Sequence, residues 1–305
     1  MTRRHRRIAF AAAAAAIALS VSMAAQGKPT FRAGTSAILV DVSVNEGRRA
    51  VLNLTADDFE LRDNGVPQKI SSIALQQLPF DLTLVVDTSA SLTEKVLAQF
   101  RADISRIAGM LGKDDRFRLV TFATRTTDAF GWRPGAAEPP VARLAPGGAT
   151  AFYHALAAAL LQRPDPGRRQ LIVAMSDGYD NVSLVDAPDL RDLARAADGV
   201  LHIVLRQEAV FRTSWGWVPY QGPGNVDALK DAAESTGGRL RTTTATGSLT
   251  EAFKTALDEF RTSYLIWFTP EGVAPTGWHT LNVRVKRGSP TIRARSGYDA
   301  GGGAR

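Results

Sequence analysis

The chain has 305 residues, with 37 Lys and Arg against 30 Asp and Glu, a net charge of +7, and 45% of its residues are hydrophobic. That balance is globular and excludes wholesale disorder, and the length suits one large domain or two ordinary ones. The chain has no Cys, which excludes disulfides, thiolate zinc, iron–sulfur clusters and cysteine nucleophiles, and its four His show no paired spacing that would hold a metal.

In chain order, Thr2 to Arg7 is basic and Ile8 to Met23 is an apolar run built on Ala11 to Ala16. Ser22 and Ala24 put small residues at the positions a signal peptidase reads. Residues 1–24 therefore read as a secretory signal peptide. The alternative, a membrane anchor, needs a span of roughly 20 residues, and this alanine-rich run is shorter. The absence of Cys excludes a lipoprotein. The expectation is export to a bacterial periplasm or exterior, with no membrane span after cleavage. Loss of Arg3, Arg4, Arg6 and Arg7 takes the net charge from +7 to +3. Such mild basicity is weak evidence for nucleic acid, and none is expected as a partner.

Residues 30–78 have strand character. Ser36 to Val44 is rich in β-branched residues, Phe59 to Asp63 alternates before the tight-turn pair Asn64-Gly65, and Ile70 to Leu75 makes a further strand. Over 79–262 the rhythm changes. Apolar runs at Asp81–Val86, Phe117–Phe122, Gln170–Met175 and Val200–Leu205, and a shorter one at Arg239–Thr242, read as strands, with Thr127–Trp132 pairing beside the second. Between them the spacing predicts helices over Leu92–Leu111, Ala151–Leu161, Leu190–Ala197, Val226–Thr236 and Leu249–Arg261. Strands alternating with helices imply an α/β fold with a doubly wound, mostly parallel, Rossmann-like sheet. Residues 263–305 return to strands at Tyr264–Phe268, Leu281–Lys286 and Thr291–Arg295, the last two alternating around the turn Gly288-Ser289-Pro290. Each β flank is too small to hold a core. The expectation is that 30–78 and 263–305 pair into one small sandwich-like β-domain, with the α/β domain inserted between them.

Chemistry gathers at strand ends. The first buried strand runs into Asp87-Thr88-Ser89-Ala90-Ser91. Residues two apart on an extended loop face the same side, so Ser89 and Ser91 present hydroxyls above Asp87. Gly147-Gly148-Ala149-Thr150 offers a third hydroxyl before a helix, and the next buried strand ends in Ser176-Asp177-Gly178. In open α/β sheets, sites form where strands end. Three hydroxyls and two carboxylates make an all-oxygen site suited to Mg²⁺, and also to Mn²⁺ or Ca²⁺. Two neighbouring carboxylates also need a positive charge between them.

Asp87-Thr88-Ser89-Ala90-Ser91 resembles the DxSxS motif of von Willebrand factor A domains. Thr150 and Asp177 fall where that family's metal-ion-dependent adhesion site has its threonine and second aspartate. The resemblance covers roughly 80 to 262. The flanks resemble a bacterial VWFA-related branch first described from Acidobacteria. They do so through Asp57-Asp58-Phe59-Glu60-Leu61-Arg62-Asp63-Asn64-Gly65-Val66-Pro67-Gln68, Gly277-Trp278-His279, Val283 to Lys286 and Arg295-Ser296-Gly297-Tyr298. The resemblance implies that Ser89, Ser91 and Thr150 contact the metal, with Asp87 and Asp177 acting directly or through water. It implies a non-enzymatic protein-binding module whose partner supplies an acidic residue.

Plainer readings compete. Ser91 and Thr150 each precede a helix and could be N-caps. That would leave Asp87 and Asp177 unexplained. Asp180 and Asn181 read as an extension of the site or as turn residues, the turn being favoured, and His154 as a packing or surface residue. The stretch Phe211 to Gly224, with Trp215, Trp217 and Tyr220, reads equally as a partner surface or a local core. Arg284, Lys286, Arg287, Arg293, Arg295 and Arg305, set against Asp299 alone, read as the solvated face of a hairpin. Two other functions stay open. One is a Mg²⁺-dependent phosphohydrolase with Asp87 as nucleophile, although Ser89 stands where such enzymes carry an acid/base aspartate. The other is a structural envelope protein with a vestigial site.

Overall fold

The computed structural model describes residues 37–75, 78–90, 92–135, 137–141, 144–207, 210–213, 216–219, 226–244 and 249–301. The signal segment 1–24, Ser91, Trp215, Tyr220 and Arg305 lie outside the described residues. Five strands come first: β1 (Ile38–Glu46), β2 (Arg49–Ala50), β3 (Phe59–Asp63), β4 (Val66–Gln68) and β5 (Ile70–Ala74). Asn64 and Gly65 join β3 to β4 with φ of 46° and 83°, the left-handed pair that a two-residue hairpin turn demands.

The α/β body follows. It comprises β6 (Phe80–Asp87), α1 (Glu94–Ala108), β7 (Arg116–Phe122), β8 (Thr126–Pro134), α2 (Phe152–Leu160), β9 (Arg169–Ser176), α3 (Ala187–Ala196) and β10 (Val200–Gln207). Next come β11 (Val210–Thr213), β12 (Gly216–Pro219), α4 (Val226–Ser235), β13 (Arg239–Thr244) and α5 (Leu249–Arg261). The chain closes with β14 (Tyr264–Phe268), β15 (Gly277–Val285), β16 (Thr291–Ala294) and β17 (Gly297–Ala300).

The central sheet has the order β13-β10-β9-β6-β7-β8 and is parallel except for β8. Every residue of β6 and β9 is buried, as expected of strands covered on both faces. Leu82, Leu84 and Val86 of β6 pack with Leu97, Phe100 and Ile104 of α1 and Phe253 and Leu257 of α5. Val85 faces the other way, toward Phe152 and Leu156 of α2, Leu190 of α3 and Leu229 of α4. Each such side chain contributes roughly 1.5–3 kcal/mol through burial. The fold is thus the doubly wound α/β class that the alternation predicts.

The two β flanks build two sheets together, one ordered β16-β1-β14-β5 with β2 on β1, the other β17-β15-β3-β4. Val40, Val42 and Val44 of β1, Phe59 and Leu61 of β3, Tyr264, Ile266 and Phe268 of β14, Leu281 and Tyr298 share one core. Segments from the two ends of the chain thus complete a sandwich that neither holds alone. The expected hairpin between Leu281–Lys286 and Thr291–Arg295 does not form. β15 pairs with β3 and β17 in one sheet, whereas β16 pairs with β1 in the other. Both strands alternate because Val283, Val285, Ile292 and Ala294 all pack on the shared core, from opposite layers.

Arg284, Lys286 and Arg287 are exposed as expected, but the basic residues do not share one face, and Arg293, on the other sheet, and Arg295 are half-buried. Arg287 pairs with Asp58 at 2.9 Å, Arg293 with Glu259 at 2.7 Å and Arg295 with Asp198 at 3.4 Å. Arg169, buried at the start of β9, ties the sandwich to the body. It pairs with Asp41 of β1 and donates to Phe260 O at 2.9 Å and Ser263 Oγ at 2.6 Å. Among the described residues, no helix is long and apolar enough to cross a membrane.

Candidate metal centre

The first strand of the body, β6, lies between β7, the next in sequence, and β9, reached after the chain turns back. The crevice between the carboxyl ends of β6 and β9 is therefore the topological switch point, where ligands of open α/β sheets sit. Val86 pairs with Met175 in register, so Asp87 and Ser176 end level and Asp177 is the next residue out.

Asp87 is wholly buried. Its Oδ1 accepts from Ser89 N at 2.8 Å and its Oδ2 from Ser176 Oγ at 2.8 Å. The Ser89 hydroxyl also hydrogen-bonds the carboxylate. All these partners are uncharged. Asp177, also buried, accepts from Tyr179 N at 3.2 Å. Burial, and then the facing charge of Asp177, push the Asp87 carboxyl up to about 7. Thr88 turns away, its hydroxyl donating to Phe122 O of β7 at 3.0 Å, which leaves Ser89 on the Asp87 side.

Thr150 arrives on a loop laid across the β6 end. Gly147 N donates to Thr88 O at 2.9 Å, and Ala90 N donates to Gly148 O at 3.0 Å. Gly148 has φ +81°, and a Cβ there would stand 2.5 Å from Thr124 Oγ1, so only glycine lets the loop approach this closely. Thr124 Oγ1 also accepts from Ala149 N at 2.9 Å. The loop after Asp177 clamps Thr150 from the other side. Asn181 Oδ1 accepts from Thr150 N at 2.8 Å, and Asn181 N donates to Thr150 O at 3.0 Å. Among the described residues the Thr150 hydroxyl makes no hydrogen bond, and Thr150 is 4% exposed.

Both helices have other residues at the N-cap position. The N-cap of α1 is Thr93, whose side chain accepts from Val96 N at 3.3 Å. The N-cap of α2 is Ala151, and Asp180 supplies the missing acceptor from outside, taking Tyr153 N at 2.7 Å. Asp180 also accepts from Ser183 N at 3.0 Å and Ser183 Oγ at 2.7 Å, which closes the turn expected of it. His154 Nε2 accepts from Leu184 N at 2.9 Å, a packing role as expected.

The structure thus brings Asp87, Ser89, Thr150 and Asp177 to one crevice, and Ser91 follows Ala90 outside the described residues. Sequence reasoning missed the clamp of Thr124, Ser176 and Asn181. The polar run Asp180-Asn181-Val182-Ser183 carried a signal for it, whereas Thr124 carried none. The β11–β12 hairpin holds Trp217 opposite Arg212, but the question of partner surface or local core falls on residues outside those described.

Chemically, the crevice offers hydroxyl and carboxylate oxygens, and its two carboxylates face one another, their repulsion adding to the effect of burial on Asp87. Among the described residues no group of three or more His, Asp or Glu side chains is placed to hold a metal ion. An all-oxygen set with an open hydroxyl and a carboxylate raised by burial and by its neighbour fits a hard divalent cation.

A doubly wound sheet with an oxygen-lined crevice at its switch point defines a Rossmann-like α/β domain. Residues 82–194 match the model of the family described as "VWA-like domain (DUF2201)". Over those residues the α/β body is similar to a von Willebrand factor A-type domain. No curated protein sequence matches it. Solved structures overlap it partially. The "conserved hypothetical protein BatB" from Bacteroides thetaiotaomicron is 14% identical, over 59% of this chain and 98% of that one, with a TM-score of 0.48. The "von Willebrand factor type A" from Catenulispora acidiphila is 10% identical over 90% and 75% of the two chains, with a TM-score of 0.46. The "ArnB paralog VWA2" from Sulfolobus acidocaldarius is 11% identical over 87% and 75%, with a TM-score of 0.45.

Proposed function

We propose that this is an exported, non-enzymatic protein-binding module. Its binding centres on a divalent cation, Mg²⁺ or else Mn²⁺ or Ca²⁺, held by Asp87, Ser89, Ser91, Thr150 and Asp177. The observation that carries the reading is the meeting of two buried carboxylates, one pushed up to about 7 by burial and by the other, with only neutral hydrogen-bond partners on Asp87. A cation between them relieves that repulsion, and mainly neutral hydroxyl ligands leave it electrophilic toward a further anionic oxygen.

An acidic side chain of a protein partner supplies that oxygen. The chain's own part is to hold Ser89 through its amide, to hold Thr150 through Asn181, and to keep Asp87 dry. Export rests on the signal segment 1–24. Membership of the bacterial VWFA-related branch is supported by its flank motifs, whose Asp63, His279 and Tyr298 meet in one buried cluster. Against a phosphohydrolase, Asp87 is wholly buried with both oxygens engaged, which ill suits a nucleophile.

The test is calorimetric titration of Mg²⁺ and Mn²⁺ into the chelator-treated protein, beside Asp177→Ala. Saturable binding that the substitution abolishes is expected. Wild-type binding that survives Asp177→Ala, or turnover of a generic phosphate ester lost on Asp87→Asn, would overturn the reading.

A further inference from the structure

A second charged cluster lies at the free edge of the central sheet, where the sandwich meets it. Leu240 of β13 packs with Leu201, Ile203 and Leu205 on the α2–α4 face, and Val200 and Val204 pack on the α1–α5 face. Side chains alternate across a strand, so His202, Arg239 and Arg241 point toward α5. His202 pairs in register with Arg239, and Val204 with Arg241. Glu259, in the last turn of α5, reaches this group, and the sandwich brings Arg293 of β16 and Ser43 of β1, themselves paired in register.

Three guanidinium groups converge on this one carboxylate. Arg239 pairs with Glu259 Oε2, Arg241 Nη2 lies 3.5 Å from the same oxygen, and Arg293 Nε donates to Oε1 at 2.7 Å. Ser43 Oγ donates to Oε1 at 3.3 Å. Among the described residues these are the only side-chain hydrogen bonds of the three arginines. The cluster is therefore two positive charges in excess.

Arg239 Nε, Arg241 Nε and His202 Nδ1 are buried polar atoms without a hydrogen-bond partner, and His202 is 2% exposed. Buried polar groups left unsatisfied are destabilising, and a ligand that pairs with them relieves that cost. Burial lowers the pKa of both Arg239 and Arg241, Arg293 adds to it in each case, and Glu259 opposes it. The arginine side chains remain 27%, 28% and 21% exposed, so the cluster is open to solvent at one side.

We propose that Arg239, Arg241 and Arg293, with His202 as a fourth donor, form a binding site for a tetrahedral dianion of the phosphate class at the joint between the sheet edge and the sandwich. Two excess charges match a dianion, where a carboxylate would cancel only one. Planar guanidinium forks suit tetrahedral oxygens. In its Nδ1–H tautomer His202 donates as a neutral group. The site is remote in sequence from the metal-centre residues and independent of them.

The test is calorimetry on the full chain, kept in chelator so that no divalent cation holds the anion. Inorganic phosphate and glycerol phosphate are titrated at neutral pH and constant ionic strength. Saturable one-to-one binding is expected, weakened at least tenfold in Arg241→Gln and in Arg293→Gln and unchanged in Lys95→Gln. Tighter binding of the free ion or of the ester tells which source the site takes. Should a glutamine variant fail to fold, Arg241→Lys and Arg293→Lys keep the charge but lose the fork, and are expected to weaken binding several-fold. Absence of saturable binding to both anions, or binding indifferent to substitution at 241 and 293, would overturn the proposal.

Discussion

Ser176 Oγ donates to Asp87 Oδ2 across 2.8 Å and accepts from Gly178 N at 3.0 Å. One hydroxyl therefore locks the ends of two neighbouring parallel strands and sets the turn that presents Asp177. The two carboxylates are held close by backbone register and this bridge, not by any attraction between them.

That arrangement makes a prediction whose sign reverses with metal. In chelator at neutral pH, Asp177→Asn removes the charge facing Asp87. A gain of about 1 kcal/mol is expected, which is roughly 2–4 °C in a body of this size. In saturating Mn²⁺ the wild type is expected to lead instead, since a ligand at 100 times its Kd adds about 2.7 kcal/mol. Scanning fluorimetry in both conditions checks it, and an unchanged order of the two midpoints would count against a shared cation.

Asp180 holds the Thr150 side of the crevice without being a ligand. Asp180→Ala removes the acceptor for Tyr153 N and both bonds to Ser183. A loss of about 1–2 kcal/mol is expected, as for a lost helix cap. Metal affinity should fall as well, while Asp180→Asn, which keeps one acceptor oxygen, recovers part of both. Urea denaturation and cation titration read the two effects separately.

Within the sandwich, His279 Nδ1 lies 2.8 Å from Asp63 Oδ1, and Tyr298 OH donates to Asp63 Oδ2 at 2.6 Å. Burial and the Asp63 charge raise the Tyr298 phenol, which keeps it protonated as a donor. Tyr298→Phe leaves one carboxylate oxygen short and is expected to cost about 1–3 kcal/mol. Asp63→Ala, which strands both donors, is expected to cost about 3–5 kcal/mol. Equal small losses in urea titrations would show that the cluster is not a structural anchor.

Burial holds the His202 pKa down at about 4, with Glu259 opposing and Arg239, Arg241 and Arg293 adding to the depression. The unfolded value is near 6.5. Between about pH 4 and 6.5 the unfolded chain therefore binds more protons, and stability rises with pH. The contribution is fully present above about 6.5, falls away toward 4, and amounts to on the order of 3 kcal/mol. The difference in denaturation free energy between wild type and His202→Gln, followed across that window, should track this curve. A pH-independent difference would refute it.

Much of this was legible in the sequence because it is local. The run Leu249–Arg261 is helical to the residue, since its apolar spacing and flanks both mark the ends. The eight buried residues of β6 announce a central strand, and Asp87 to Ser91 announce a site at its end. Asp63, His279 and Tyr298 stood in separate motif fragments and were legible as marks of a family, but not as one cluster.

The sequence by itself determined the helices and the longer strands but not the short strands β2, β4, β11, β12 and β17, and it determined the doubly wound class and the oxygen-bearing residues at Asp87, Ser89, Ser91, Thr150 and Asp177. Only the tertiary structure decided that β15 and β16 part into different sheets, that Asp180 and Asn181 clamp the Thr150 loop, and that three arginines from two strands and two layers meet at Glu259. The physical reason is that alternation records only that a strand has one buried face. Which strand lies beside it, and which layer covers that face, depends on contacts hundreds of residues apart in the chain, as between Ser43 and Glu259.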